Sequence, residues 1–163
     1  MMLDRLSRLL MARRFRLATA ESCTGGMIAA RLTDWPGSSA WFDRAYITYS
    51  NQAKAEMLGV PLALFEAHGA VSESVVRAMV DGVLQRAPVN AVLSVSGIAG
   101  PGGGSKDKPV GTVWFAWGLR AGSNDGARVD AVCRRFYGNR DMVRQQALEC
   151  ALAGMLRLLE ADD

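Results

Sequence analysis

One histidine, three cysteines and three lysines are all that 163 residues contain of those types, and each scarcity removes a class of chemistry. Cys23, Cys133 and Cys150 form no close pair with each other or with His68, so the spacing of a Cys/His zinc site is missing. They read as free thiols of a cytoplasmic protein rather than a disulfide framework. A serine–histidine–aspartate triad would have to use His68 or nothing. In AHGAVS that histidine reads as the organiser of a loop. No apolar run approaches the roughly 18 residues of a membrane span. The opening MMLDRLSRLLMARR interrupts its leucines with charge, unlike the apolar core of a secretory signal. A net charge of +3, scattered rather than striped, excludes the electrostatic footprint of a nucleic-acid binder. The sequence therefore points to no membrane and no nucleic-acid partner.

What is present describes a soluble domain. Half the residues are apolar and 21% are charged, and a chain of this length buries roughly 70% of its unfolded surface without staples. Leucines 3, 6, 9 and 10 share one face of an opening helix over 3–13. Arg16 to Glu21 reads as a strand, SCTGG as a turn, and Met27 to Leu32 as a helix broken by Trp35-Pro36-Gly37. Ala45 to Tyr49 reads as the next strand. Ser50-Asn51 offers a capping pair, with Asn51 taken as the N-cap, for a helix over 52–58. Glu73 to Arg86 carries a stripe of Val75, Val76, Met79, Val80 and Val83. Ala91 to Ser96 is apolar enough to be buried on both faces. Gly111 to Leu119 and Arg128 to Phe136 flank the turn Gly122 to Gly126, an antiparallel hairpin, and a last helix starts near Asn139. Helices between the early strands imply parallel crossovers. The expected object is a single-domain three-layer α/β/α sandwich on a mixed, partly parallel sheet with a late antiparallel hairpin.

Three strand ends run into chemistry-bearing loops: ESCTGG (21–26), YSNQAK (49–54) and SGIAGPGGG (96–104). Ligands of open α/β sheets bind along the carboxyl ends of parallel strands, so neighbouring strands would bring Ser22, Lys54 and the glycine loop to one crevice. Ser22 reads either as a helix N-cap or as a nucleophile on a strand-to-helix turn, with helix amides close by to hold an oxyanion or a phosphate. Cys23 is the rival nucleophile, or a small buried hydrophobe. The glycine loop is neither a P-loop nor a dinucleotide fingerprint. It reads as a backbone that approaches a ligand closely, or as a surface hairpin. Trp114, Phe115 and Trp117 read as packing groups, and Arg134-Arg135 as solvated charge.

Lys54 is the informative position. Against 16 arginines stand only Lys54, Lys106 and Lys108, and an amine can be made neutral where a guanidinium cannot. With Asn51 as N-cap, Lys54 falls at the third helical position, where the dipole opposes a cation by only about 0.3–1 kcal/mol. Bringing a lysine from about 10.4 to 7–8 needs roughly 4 kcal/mol, so burial or a nearby cation has to supply most of it. The alternative is an exposed lysine turned away from the dipole.

TAESCTGG (19–26), GSSAWFDRAYITYSNQAK (37–54), HGAVSE (68–73), SGIAGPGGGS (96–105), KPVGTVWFA (108–116) and GNRDMVRQQA (138–147) together resemble the CinA C-terminal-domain family over nearly the whole chain. The resemblance implies a nicotinamide-nucleotide amidohydrolase that converts nicotinamide mononucleotide to nicotinic acid mononucleotide and ammonia. It implies one amidohydrolase domain over 1–163, standing alone without the N-terminal pyrophosphatase-like domain of longer relatives. It further implies Ser22 as nucleophile, Lys54 as its neutral base and Tyr49 as an orienting neighbour. Substrate contacts would come from Cys23, Thr24, Gly25, Asn51, Ser96, Gly97, Ile98, Gly100, Thr112 and Arg140, the last holding the phosphate bidentately. The oxyanion donors would be amides near Cys23–Thr24 or in Gly97–Gly100. No metal and no cofactor is implied, and the small nucleotide is the partner. The amphipathic opening helix and exposed tryptophans would suit a homodimer or higher homo-oligomer. The competing reading is a non-catalytic pyridine-nucleotide-binding or regulatory module, in keeping with the family's association with competence and DNA damage.

Overall fold

Five strands form one sheet in the order β2-β1-β3-β4-β5: β1 (Leu17–Glu21), β2 (Phe42–Ile47), β3 (Ala91–Gly97), β4 (Thr112–Leu119) and β5 (Arg128–Arg135). β1 runs parallel to both β2 and β3, while β3–β4 and β4–β5 are antiparallel. This arrangement comes from a computed structural model that describes residues 1–122 and 124–162. The expected hairpin turn therefore lies partly outside the described residues, at Ser123.

Six helices cover the two faces. On one side α1 (Met2–Arg13), α2 (Met27–Thr33) and α6 (Arg140–Ala161) pack Leu6, Leu10, Ile28, Leu32, Leu152 and Met155 against Leu93, Val95, Phe115 and Trp117. On the other side α3 (Asn51–Leu58), α4 (Leu62–His68) and α5 (Glu73–Arg86) bury Leu58, Val76, Met79, Val80 and Val83 against Ala18, Ala20, Val92 and Ala116. Alternate residues of β3 thus feed different layers, which is why the whole strand is apolar. Phe115 and Trp117 stack at 5.7 Å between centroids, and the Trp117 indole donates to Ala151 O. The three layers and the mixed sheet agree with the sequence reading.

Four expectations are corrected. Helix α4 was not foreseen; Pro61 starts it and Gly69 ends it, and its seven residues are too few for a periodic signal. β2 begins and ends earlier than 45–49, because the carbonyls of Thr48 and Tyr49 turn toward Lys54 instead of extending the ladder. The cap of α3 is Ser50, whose hydroxyl accepts from Ala53 N, so Lys54 is the fourth helical residue. None of the four tryptophans is exposed, and the leucine face of α1 is buried in the core. The sequence argument for an oligomer interface at those residues fails.

Candidate active site

The order β2-β1-β3 places three parallel strands side by side, and their carboxyl ends open into one cavity of about 270 Å³. Its walls include Ser22, Lys54, Tyr49, Asn51, Gly97 and Arg140. Ser22 follows β1 directly and is pinned by its amide to Val95 O of β3 at 3.1 Å. Lys54 rises from α3 beneath it. The two meet: Lys54 Nζ lies 2.9 Å from Ser22 Oγ.

Lys54 is 1% exposed and has three acceptors around Nζ: Ser22 Oγ, Thr48 O at 2.9 Å and Tyr49 O at 3.2 Å. No carboxylate is among them. Burial pulls its pKa down to about 8, opposed only by the neighbouring Cys23 when ionised. A neutral amine has two N–H bonds and one lone pair. Donation to the two carbonyls leaves the lone pair on the side of the Ser22 hydroxyl, the arrangement a general base needs. Ser22 Oγ also lies 3.3 Å from Tyr49 O, so that carbonyl touches both members of the pair. Tyr49 contributes its main chain here; its ring is 60% exposed.

Cys23 behaves as the bland reading held. Its side chain is buried, and burial drives the thiol up to about 11, so it is a poor nucleophile near neutrality. The amine bonds to the neighbouring serine instead. Gly97 lets Cys23 and Val113 pack closely: a Cβ there would lie 2.6 Å from Val113 Cγ2 and 3.1 Å from Cys23 Sγ.

Glu21, which the sequence reading passed over, closes one expected anion site. Its fully buried carboxylate accepts from the amides of Gly26, Ile28 and Ala29 and from the hydroxyls of Thr19 and Thr24. The amino end of α2 is therefore filled from within the chain, and substrate oxyanion or phosphate has no place there. The signal was available: a glutamate immediately before a serine–glycine turn can fold back to cap the helix.

Of the expected contact residues, Cys23, Asn51, Ser96, Gly97, Ile98, Gly100 and Arg140 line the cavity. Thr24, Gly25 and Thr112 do not line it. Thr24 is buried with its hydroxyl on Glu21, Gly25 lies by Arg144 Nη2, and the Thr112 hydroxyl donates to Pro109 O at 2.6 Å. Arg140 is engaged at both ends of its fork, with Gly100 O at 2.9 Å and the Tyr49 hydroxyl at 3.0 Å. It ties the glycine loop to the β2–α3 loop while keeping Nε–H and one hydrogen on each Nη free of those two bonds. The Ser96 hydroxyl donates to Ala70 O, and Lys108 Nζ donates to His68 O, anchoring the loop's far end. Among the described residues no group of His, Cys, Asp and Glu is placed to hold a metal ion, and no helix is long and apolar enough to cross a membrane.

The sequence model of the CinA C-terminal domain matches residues 1–159. The chain belongs to this family. It is 53% identical over 148 residues to a Pseudomonas putida protein named nicotinamide-nucleotide amidohydrolase, a match that covers 90% of this chain and 89% of the relative. An Escherichia coli K12 protein of the same name is 50% identical over 151 residues, covering 91% and 87%. A crystal structure of a CinA superfamily protein from Klebsiella pneumoniae superposes with a TM-score of 0.90 at 38% identity, covering 98% of this chain and 96% of the other. The family resemblance read from the motifs and the three-layer fold are both supported by these matches.

Proposed function

We propose that the chain is a nicotinamide-nucleotide amidohydrolase that deamidates nicotinamide mononucleotide through a Ser22–Lys54 pair, with residues 1–163 forming one amidohydrolase domain. One observation supports the mechanism: a desolvated lysine, held by two carbonyl acceptors, whose Nζ lies 2.9 Å from a serine hydroxyl. The names of the relatives support the substrate.

Ser22 Oγ attacks the carboxamide carbon as its proton passes to Lys54 Nζ, and the carbonyl π pair moves onto oxygen. Collapse of that intermediate breaks the C–N bond, with the lysine proton delivered to the departing nitrogen, which leaves as ammonia. A water then attacks the ester, giving a proton to Lys54. The C–O bond to Ser22 breaks, the proton returns to Oγ, and the carboxylate product leaves. Tyr49, through its carbonyl, holds base and nucleophile in register. Cys23 N–H and the amides of Ala99 and Gly100, which have no partner among the described residues, are the oxyanion donors available at the cavity wall. Arg140 and the free amides of Gly102–Gly104 are the donors for the phosphate; Asn51, Ser96, Gly97 and Ile98 line the space between.

The test is ammonia release from nicotinamide mononucleotide by the purified chain. Ser22→Ala and Lys54→Ala each abolish turnover, and Lys54→Arg does not restore it, because a guanidinium holds its proton. A fully active Lys54→Arg enzyme would overturn the base assignment. A mononucleotide that raises the melting temperature without any product would replace the enzyme by a binding module. We further infer a cytoplasmic protein.

A further inference from the structure

Arg144 sits one helical turn after Arg140 on α6, half-buried against the loop that carries Ser22. Its Nε donates to Cys23 O at 3.1 Å and its Nη2 to Thr24 O at 3.3 Å. The rest of that turn is equally constrained. Ser22 N donates to Val95 O, Ser22 O accepts from Gly25 N, and Thr24 O accepts from Met27 N. From Ser22 to Thr24 every main-chain polar group is engaged except the amides of Cys23 and Thr24, and of these two residues only Cys23 reaches the cavity. In a trans peptide the N–H points opposite to the C=O. Cys23 N–H shares its peptide with Ser22 C=O, which accepts from Gly25 N, and Gly25 N in turn shares its peptide with Thr24 C=O; a donor on Thr24 O therefore fixes the direction of Cys23 N–H through that relay.

We infer that Arg144 is a positioning residue for acyl transfer: by holding the carbonyls of Cys23 and Thr24 on the α6 side, it keeps the turn's free Cys23 N–H available to the oxyanion formed when Ser22 attacks. Glu21 secures the same turn from the opposite side through Thr24 and the start of α2. The arginine also places positive charge close enough to Cys23 to favour anionic sulfur there, and the same field favours an anionic oxygen beside it. Arg144 touches neither Ser22 Oγ nor Lys54, so it acts on the transition state through the backbone. This inference rests on the Ser22–Lys54 reading.

The experiment compares Arg144→Met and Arg144→Lys with the unvaried chain in steady-state ammonia release from nicotinamide mononucleotide between pH 6.5 and 9.5, with melting curves alongside. Absence of Ser22-dependent turnover in the unvaried chain overturns the amidase reading itself and is seen before any variant is examined. Given that turnover, Arg144→Met lowers kcat by on the order of 10²-fold, changes KM less than about threefold, and leaves the pH midpoint set by Lys54 in place; Arg144→Lys recovers part of the loss. A folded Arg144→Met with kcat within twofold of the parent overturns the inference, and so does a rise in KM alone, which would put the arginine on the substrate. Should Arg144→Met lose its cooperative melt, Arg144→Lys decides by the same readout: a lower kcat at constant KM supports the role, and an unchanged kcat overturns it.

Discussion

Burying Lys54 has a thermodynamic signature that is separable from catalysis. Its pKa is about 8 in the folded chain against an ordinary 10.5, a depression worth roughly 3 kcal/mol. The sign follows from proton counts. Between pH 8 and 10.5 the unfolded chain still holds a proton on this amine that the folded chain has released, so stability rises with pH across that window. Below pH 8 both states are protonated and the full penalty is present. Above 10.5 it is gone.

Lys54→Met removes the titration and leaves Thr48 O without its donor and Tyr49 O with only the Ser22 hydroxyl, which costs about 1–3 kcal/mol. At pH 7 the two effects oppose, and the variant is expected within a few kcal/mol of the parent. The informative quantity is the pH dependence of the difference. Urea unfolding at pH 7, 8 and 9 should show the parent gaining on Lys54→Met by about 1.4 kcal/mol over that range. Cys23, lifted from 9 to about 11, acts with the opposite sign from about pH 8 upward, but both proteins carry it and it drops out of the difference. Over the same range kcat/KM of the parent should rise about tenfold and level off, reporting the neutral fraction of the free enzyme's base. Parallel stability curves for the two proteins would refute the buried-amine argument, and so would a rate profile flat from pH 7 to 9.

Glu21→Gln turns one of the two buried oxygens that together accept five hydrogen bonds into an NH2 donor facing donors; unfolding free energy should fall by about 3 kcal/mol or more, and a loss under 1 kcal/mol in urea titration would refute the account. Cys23→Ala should keep kcat within about fivefold, and iodoacetamide should inactivate slowly at pH 7.5, since a buried thiol that titrates near 11 offers little thiolate; rapid, stoichiometric inactivation would revive the cysteine as nucleophile. Gly82→Ala would place a Cβ 2.1 Å from Leu58 O, forcing α5 away from the helix that carries Lys54. A loss of about 1–3 kcal/mol should come with a fall in kcat, and a variant with parental stability and rate would show that the contact relaxes freely.

The parts of this architecture written into short-range pattern were legible before any coordinates. Val75, Val76, Met79, Val80 and Val83 made α5 readable because helical spacing puts them on one face, and the unbroken apolar run of β3 announced a strand covered on both sides. The scarcity of lysine singled out Lys54, and the three strand ends named the loops that meet. What the chain order could not supply was the sheet order, and everything at atomic range depends on it. β1 between β2 and β3 is what sets Ser22 beside Lys54; a different order of the same strands would have parted them. The misreadings share one cause. Asn51 as cap and β2 ending at Tyr49 each gave a polar group its commonest local partner, whereas the structure gave it another. Ser50 caps α3, and the carbonyls of Thr48 and Tyr49 serve the amine. Glu21 and Arg144 were missed for the same reason, since their partners lie five to eight residues on, or more than a hundred residues back, along the chain.

These distant partners also explain why a lysine can serve as base here without a second cation to depress it. Two carbonyls are the only fixed acceptors besides the hydroxyl, and carbonyls hold an amine by its hydrogens whether or not it is charged. A carboxylate in their place would favour the ammonium and push the pKa up. The nearest buried carboxylate is Glu21, one residue from the nucleophile, and its oxygens are fully engaged by three amides and two hydroxyls on the far side of the turn. Keeping that carboxylate turned toward α2 is therefore part of what leaves Lys54 without an acidic partner and available as a neutral amine. Weakening the hold on Glu21 from the α2 side, as Thr24→Val would by deleting one donor, should move the rate midpoint upward from about 8, and a midpoint that stays in place or falls would show that the carboxylate exerts no influence across the turn.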